Sequence, residues 1–121
     1  MTPSTESDAV LLAHMADCLA RISDYTGGIR QRFDASSLVQ DAVVRNLQML
    51  TESSQRLSDA VKSTEPGQPW RELSGFRNIV VHAYLSLDLS IVWSIIENDL
   101  PGLRDAVQRM IAQSTSDGPP A

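Results

Sequence analysis

Apolar side chains recur along this chain at helical spacing. Between residues 8 and 25 they stand at Leu11, Met15, Cys18, Ile22 and Tyr25, with Leu12 and Leu19 alongside. Steps of four and three place them on one stripe of an α-helix, because about 3.6 residues complete a turn. Ser4, Thr5 and Ser7 are candidate caps for its start, and Gly27-Gly28 is a stop signal. Residues 29–37 read as a connector that contains Arg30, Arg32 and Phe33. Ser36 or Ser37 can then cap a longer helix over 38–61, with Val39, Val43, Leu47, Leu50, Leu57 and Val61 inward. Pro66 and Pro69 bracket Gly67 and end that pattern. A third helix spans 70–85. A fourth, capped by Ser86 or Asp88, spans 89–98 with Leu89, Val92, Ile95 and Ile96 inward. A fifth starts at Asp99-Leu100-Pro101 and uses Leu103, Val107, Met110 and Ile111, while the Ser/Gly/Pro-rich residues 114–121 are expected to fray. Short links between amphipathic helices predict an all-α, up-and-down bundle of about five helices with antiparallel neighbours.

Composition narrows this picture without redirecting it. A length of 121 residues suits one domain, ordered over about residues 8–112. Aromatic residues make up only 5%, and no alternating β-branched runs occur, which argues against a sandwich or barrel. The net charge of −5 is unlike that of a protein that coats DNA. Residues 18–80 nevertheless carry eight bases against seven acids, which leaves room for a local phosphate site. A single cysteine, Cys18, excludes an intramolecular disulfide and a thiolate-cage zinc site, and its spacing marks it for the core. No apolar stretch approaches the roughly 20 residues needed to cross a bilayer, and the N-terminus lacks the features of a secretion signal. A cytoplasmic protein without membrane contact is expected. Gly27-Gly28 has neither the Walker Lys-Ser/Thr pair nor the dinucleotide pattern, so nucleotide hydrolysis is not expected, and no cofactor is expected.

The third helix carries the candidate chemistry. With about 100° per residue and Arg77 set at zero, Leu73, Phe76, Ile79, Val80 and Ala83 fall between about 200° and 320°, the expected core stripe. Arg77, Tyr84, Asn78 and His82 fall elsewhere, together with Trp70, Val81 and Leu85. Those three apolar residues predict a partner surface on the side away from the core. If the partner is a second copy, two-fold symmetry brings two Arg77 and two His82 side chains into one cleft. Such a cleft suits cleavage of RNA. Histidine can move the protons of the 2′-hydroxyl and the leaving 5′-oxygen, and arginine presents a permanent fork to phosphate oxygens.

The string Arg77-Asn78-Ile79-Val80-Val81-His82-Ala83-Tyr84 resembles the signature of HEPN ribonucleases of the HepT-like toxin family. Pro69-Trp70 and Gly75-Phe76 before it resemble the same family, as do Asp88, Val92-Trp93 and Asp99-Leu100-Pro101-Gly102-Leu103 after it. Upstream, Asp41-Ala42-Val43-Val44-Arg45-Asn46-Leu47 is similar to the family's second helix, so the resemblance covers roughly residues 8–112. One stretch departs. Where the family often has Ile-Gly-Glu-Ala this chain has Leu50-Thr51-Glu52-Ser53, and Glu52, the one clear match, is assigned no catalytic role. The resemblance implies a HEPN-like homodimer that cleaves RNA without a metal ion. In it Arg77 and His82 would be catalytic, with Asn78 in support. It also implies a minimal nucleotidyltransferase antitoxin as partner, which silences the toxin by AMPylation of Tyr84.

A second class of function fits the same face: a non-catalytic helical module that binds a nucleotidyltransferase or a nucleotide. Both readings require an exposed Arg and His. Elsewhere the expectations are plainer: His14 as a surface or boundary residue, Arg30 and Arg32 as solvated connector cations, and Trp93 as core or interface.

Overall fold

The computed structural model describes residues 5–116, and among them seven helices and no strand. These are α1 (Thr5–Thr26), α2 (Arg30–Ala35), α3 (Ser37–Arg56), α4 (Asp59–Lys62), α5 (Trp70–Leu85), α6 (Leu89–Asn98) and α7 (Leu100–Ser116). Five long helices close a ring in which α1 packs on α3, α3 on α5, α5 on α6, α6 on α7 and α7 back on α1. The core they enclose holds Leu12, Met15, Ile22, Leu47, Leu50, Val80, Val92, Leu103 and Met110, all essentially solvent-free. Burying each such side chain stabilises the fold by roughly 1.5–3 kcal/mol. No helix among the described residues is long and apolar enough to cross a membrane.

Two short helices correct the expected count of about five. The connector 29–37 is not a loop: α2 turns once so that Phe33 enters the core, its ring 5.7 Å from that of buried Trp93. The helix expected over 38–61 is interrupted after Arg56, where Leu57 and Ser58 turn to extended backbone. Ser58 caps α4 by accepting from the Val61 N–H. Its own N–H and hydroxyl donate to Asp8 at the start of α1, at 2.9 and 2.6 Å. Local capping and a carboxylate from another helix thus outweigh the continuing Leu57-to-Val61 spacing. Ser36 caps α3 as expected, accepting from Val39 N–H.

Tyr25, expected inward, is 40% exposed, because the 3.6-residue twist brings Thr26 to the end of the stripe instead. The Thr26 hydroxyl donates to the Ile22 carbonyl and accepts from the Gly28 N–H, and Gly27 and Gly28 both take the positive φ that ends the helix. Between α5 and α6 a Schellman turn is closed by Asp88 N–H to Ala83 C=O and Leu87 N–H to Tyr84 C=O. Leu87 sits at its left-handed position, φ 59°, where glycine is usual, and is 77% exposed. The loop before α5 is fastened by the Trp70 indole N–H to the Lys62 and Glu65 carbonyls and by Arg109 to Glu65. That guanidinium holds the Glu65 carboxyl below the usual carboxylate range.

Ser4, one candidate cap, and residues 117–121 of the tail expected to fray lie outside the described residues. Helix α7 extends through Ser116, into the start of that tail.

Candidate active site

Helices α3 and α5 run antiparallel, and their register is fixed by two cross-links. Gln55 Nε2 donates to the Ser74 carbonyl, and one turn along Arg77 Nε forms an ion pair with Glu52 Oε1 at 3.0 Å. Continuing three or four residues at a time opposes Val81 to Gln48 and Tyr84 to Arg45. These four residues, with Asp41, Val44 and Leu85, line a groove of about 280 Å³ between the helices.

This register revises the expected faces of α5. Residues at about 340° to 60°, namely Tyr84, Arg77, Trp70, Val81 and Ser74, lie along the flank that meets α3 and its loops. Val81, Tyr84 and Trp70 are half-buried, and Trp70 is tied to the preceding loop. Of the three apolar residues expected to form a partner surface, only Leu85 stands open, 74% exposed. Ile79, expected in the core, is 45% exposed because the buried stripe is narrower than the one drawn from periodicity. The open arc therefore holds Gly75, Asn78, Ile79, His82 and Leu85.

Asn78 and His82 are exposed, and neither side chain has a hydrogen-bond partner among the described residues. Arg77 is half exposed and borders that arc from the α3 flank. Its Nε lies against Glu52 Oε1. An exposed ion pair of this kind contributes only ~0.2–1 kcal/mol, so its effect is to aim the guanidinium. The N–H groups on the two outer nitrogens keep the planar fork that suits a phosphate. Glu52 is the residue that reading the sequence missed. Its signal was the match to the family's Ile-Gly-Glu-Ala stretch, without the register that brings it to Arg77.

Trp93 is core, and buried Cys18 has its thiol pushed up by burial. His14 is half-buried and pairs Nδ1 with the Ser53 hydroxyl at 2.8 Å, linking α1 to α3. Arg30 meets Asp34 and donates to Ser90 of α6 at 2.7 Å. Among the described residues no three His, Cys, Asp or Glu side chains are grouped to hold a metal ion. A larger cavity of about 440 Å³, between α1, α6 and α7, contains none of Arg77, Asn78, His82 and Tyr84.

An all-helical bundle with an arginine aimed by a carboxylate and a histidine on the adjoining open face defines a candidate phosphate-handling protein. Residues 15–110 match the family described as Ribonuclease HepT-like, and the chain belongs to that family. It is 28% identical to "Probable ribonuclease HepT" of Thermococcus cleftensis over 82% of this chain and 91% of that one. It is 30% identical to "Putative RNase MJ1380" of Methanocaldococcus jannaschii over 63% of this chain and 70% of that one. No solved structure matches it.

Proposed function

We propose that this ribonuclease-family protein is the toxin of a toxin–antitoxin pair. In this reading it cuts RNA as a homodimer without a metal ion and is silenced by AMPylation of Tyr84 by a minimal nucleotidyltransferase. The observation that carries the reading is the presentation of Arg77, Asn78 and His82 on one exposed stretch of α5.

His82 accepts the proton of a ribose 2′-hydroxyl as the 2′-oxygen attacks phosphorus. The bond from phosphorus to the 5′-oxygen breaks, and that oxygen takes a proton from a second histidine. The products are a 2′,3′-cyclic phosphate and a 5′-hydroxyl. Arg77 binds the non-bridging oxygens as charge builds on them, and Asn78, one turn from His82, orients the imidazole or the phosphate. Arg77 and His82 lie about 140° apart around the α5 axis and about 7.5 Å apart along it. This separation favours a cleft shared by two copies, in which His82 of each protomer serves as base or acid. Ile79 and Leu85 supply exposed apolar surface on the same arc. A specific dimer should bury at least about 1,000 Å² in total.

Tyr84 supports the regulatory half of the reading. It lies on the α3 flank two turns from Arg77, where an attached adenylate adds bulk and negative charge beside the RNA-binding cations. The test is cleavage of RNA by the purified chain in excess EDTA, with mapping of the ends. Cyclic phosphate ends are expected, and His82→Ala should lower the rate by about 10²–10⁴-fold with helicity unchanged. An equally active His82→Ala protein overturns the mechanism. Coexpression with the nucleotidyltransferase should add one or more adenylate units at Tyr84, and an unmodified Tyr84 overturns the silencing.

A further inference from the structure

The cation nearest Tyr84 in the α3–α5 register is Arg45, not Arg77. Arg45 is exposed and makes no hydrogen bond or ion pair among the described residues, although Asp41 stands one turn away on the same helix. Arg77, by contrast, is already engaged by Glu52. The groove thus brings together an unpaired guanidinium, the Gln48 amide, the Asp41 carboxylate and a half-buried tyrosine ring. Along the seam the levels run from Arg77 with Glu52, through Val81 with Gln48, to Tyr84 with Arg45. Seven residues of α5 separate the first level from the last, about 10 Å along the axis.

We propose that this groove is a subsite for a nucleotide of single-stranded RNA flanking the cleaved bond, with its phosphate on Arg45 and its base against the Tyr84 ring. The inference rests on the ribonuclease reading above and extends it to substrate binding. An unpaired arginine beside an aromatic ring is the chemistry by which single strands are held, the cation taking the backbone and the ring taking a base face. Asp41 fixes the polarity. It repels a phosphate from the Leu85 end of the groove and accepts hydrogen bonds from exocyclic amino groups of a base, as Gln48 can in either sense. Arg45 and Gln48 are binding residues here, remote from the reacting phosphorus.

The test uses the full chain, a labelled single-stranded RNA of mixed sequence and the same RNA with 2′-O-methyl groups, which cannot be cut. Arg45→Ala should raise KM about tenfold with kcat within twofold. It should also weaken binding of the methylated RNA, with a salt slope of log K about 0.7 shallower, the loss of one phosphate contact. Arg45→Lys should recover most of the binding, and Arg21→Ala, on α1, should change neither quantity. If Arg45→Ala leaves KM, affinity and salt slope as in the wild type, the subsite is overturned and the ribonuclease reading stands. If the wild type binds methylated RNA through Arg45 but cuts no RNA, the groove stands as an RNA-binding site and the cleavage reading falls. If the wild type neither binds nor cuts RNA, both fall.

Discussion

At the scale of single residues, the direction of the Arg77 guanidinium depends on one carboxylate from another helix. Glu52→Gln keeps the shape and removes the charge that fixes Nε. Because the pair is exposed, the fold should be unaffected, while kcat for RNA should fall about tenfold with KM nearly constant. That is the signature of an interaction that matters most in the transition state. Steady-state kinetics beside a urea titration checks it, and unchanged kcat would remove Glu52 from the site. Arg77, Asn78, His82 and Tyr84 stand out in the sequence as candidates because they form one contiguous string on one helix. The pairing of Glu52 with Arg77 and the place of Arg45 beside Tyr84 do not, since both are set by an antiparallel register that the separate periodicities of α3 and α5 leave undetermined.

At the scale of elements, long amphipathic stretches declared themselves, and α1, α5, α6 and α7 occupy close to their expected places. Two elements depart from expectation where a contact distant in sequence competes with periodicity. Ser58 ends α3 early, supported by Asp8 about fifty residues away, and Phe33 draws a nominal connector into a helical turn. Neither long-range contact leaves a trace in local spacing. The α5–α6 turn is a further case, with Leu87 at φ 59° and 77% exposed. A leucine there accepts left-handed strain and buries little, so Leu87→Gly should stabilise the chain by about 0.5–1 kcal/mol despite the loss of an apolar side chain. Chemical denaturation measures this. A destabilised variant would mean that the side chain is buried against another copy or another protein.

At the scale of the whole molecule, the ring of five long helices leaves one arc of α5 without a covering element among the described residues. Gly75 lies on it, and a Cβ built there meets nothing within 4 Å. Gly75→Ala should therefore raise the stability of the protomer by about 0.5–1 kcal/mol through helix propensity alone. In a dimer that joins the two open arcs, the added methyl group stands in the contact, so the same substitution should weaken association. Denaturation at low concentration and sedimentation at high concentration separate the effects, and a gain in stability with unaltered association would place the dimer contact elsewhere.

The pairing of Glu52 with Arg77 also carries a consequence for the moment of synthesis. The carboxylate and the guanidinium belong to helices separated by the α4 turn and a proline-containing loop, and neither helix alone holds the arrangement. A chain still being translated has α3 outside the ribosome before α5 has emerged, so its arginine is unaimed. Until the third long helix docks on the second, the nascent protein lacks the paired carboxylate and guanidinium.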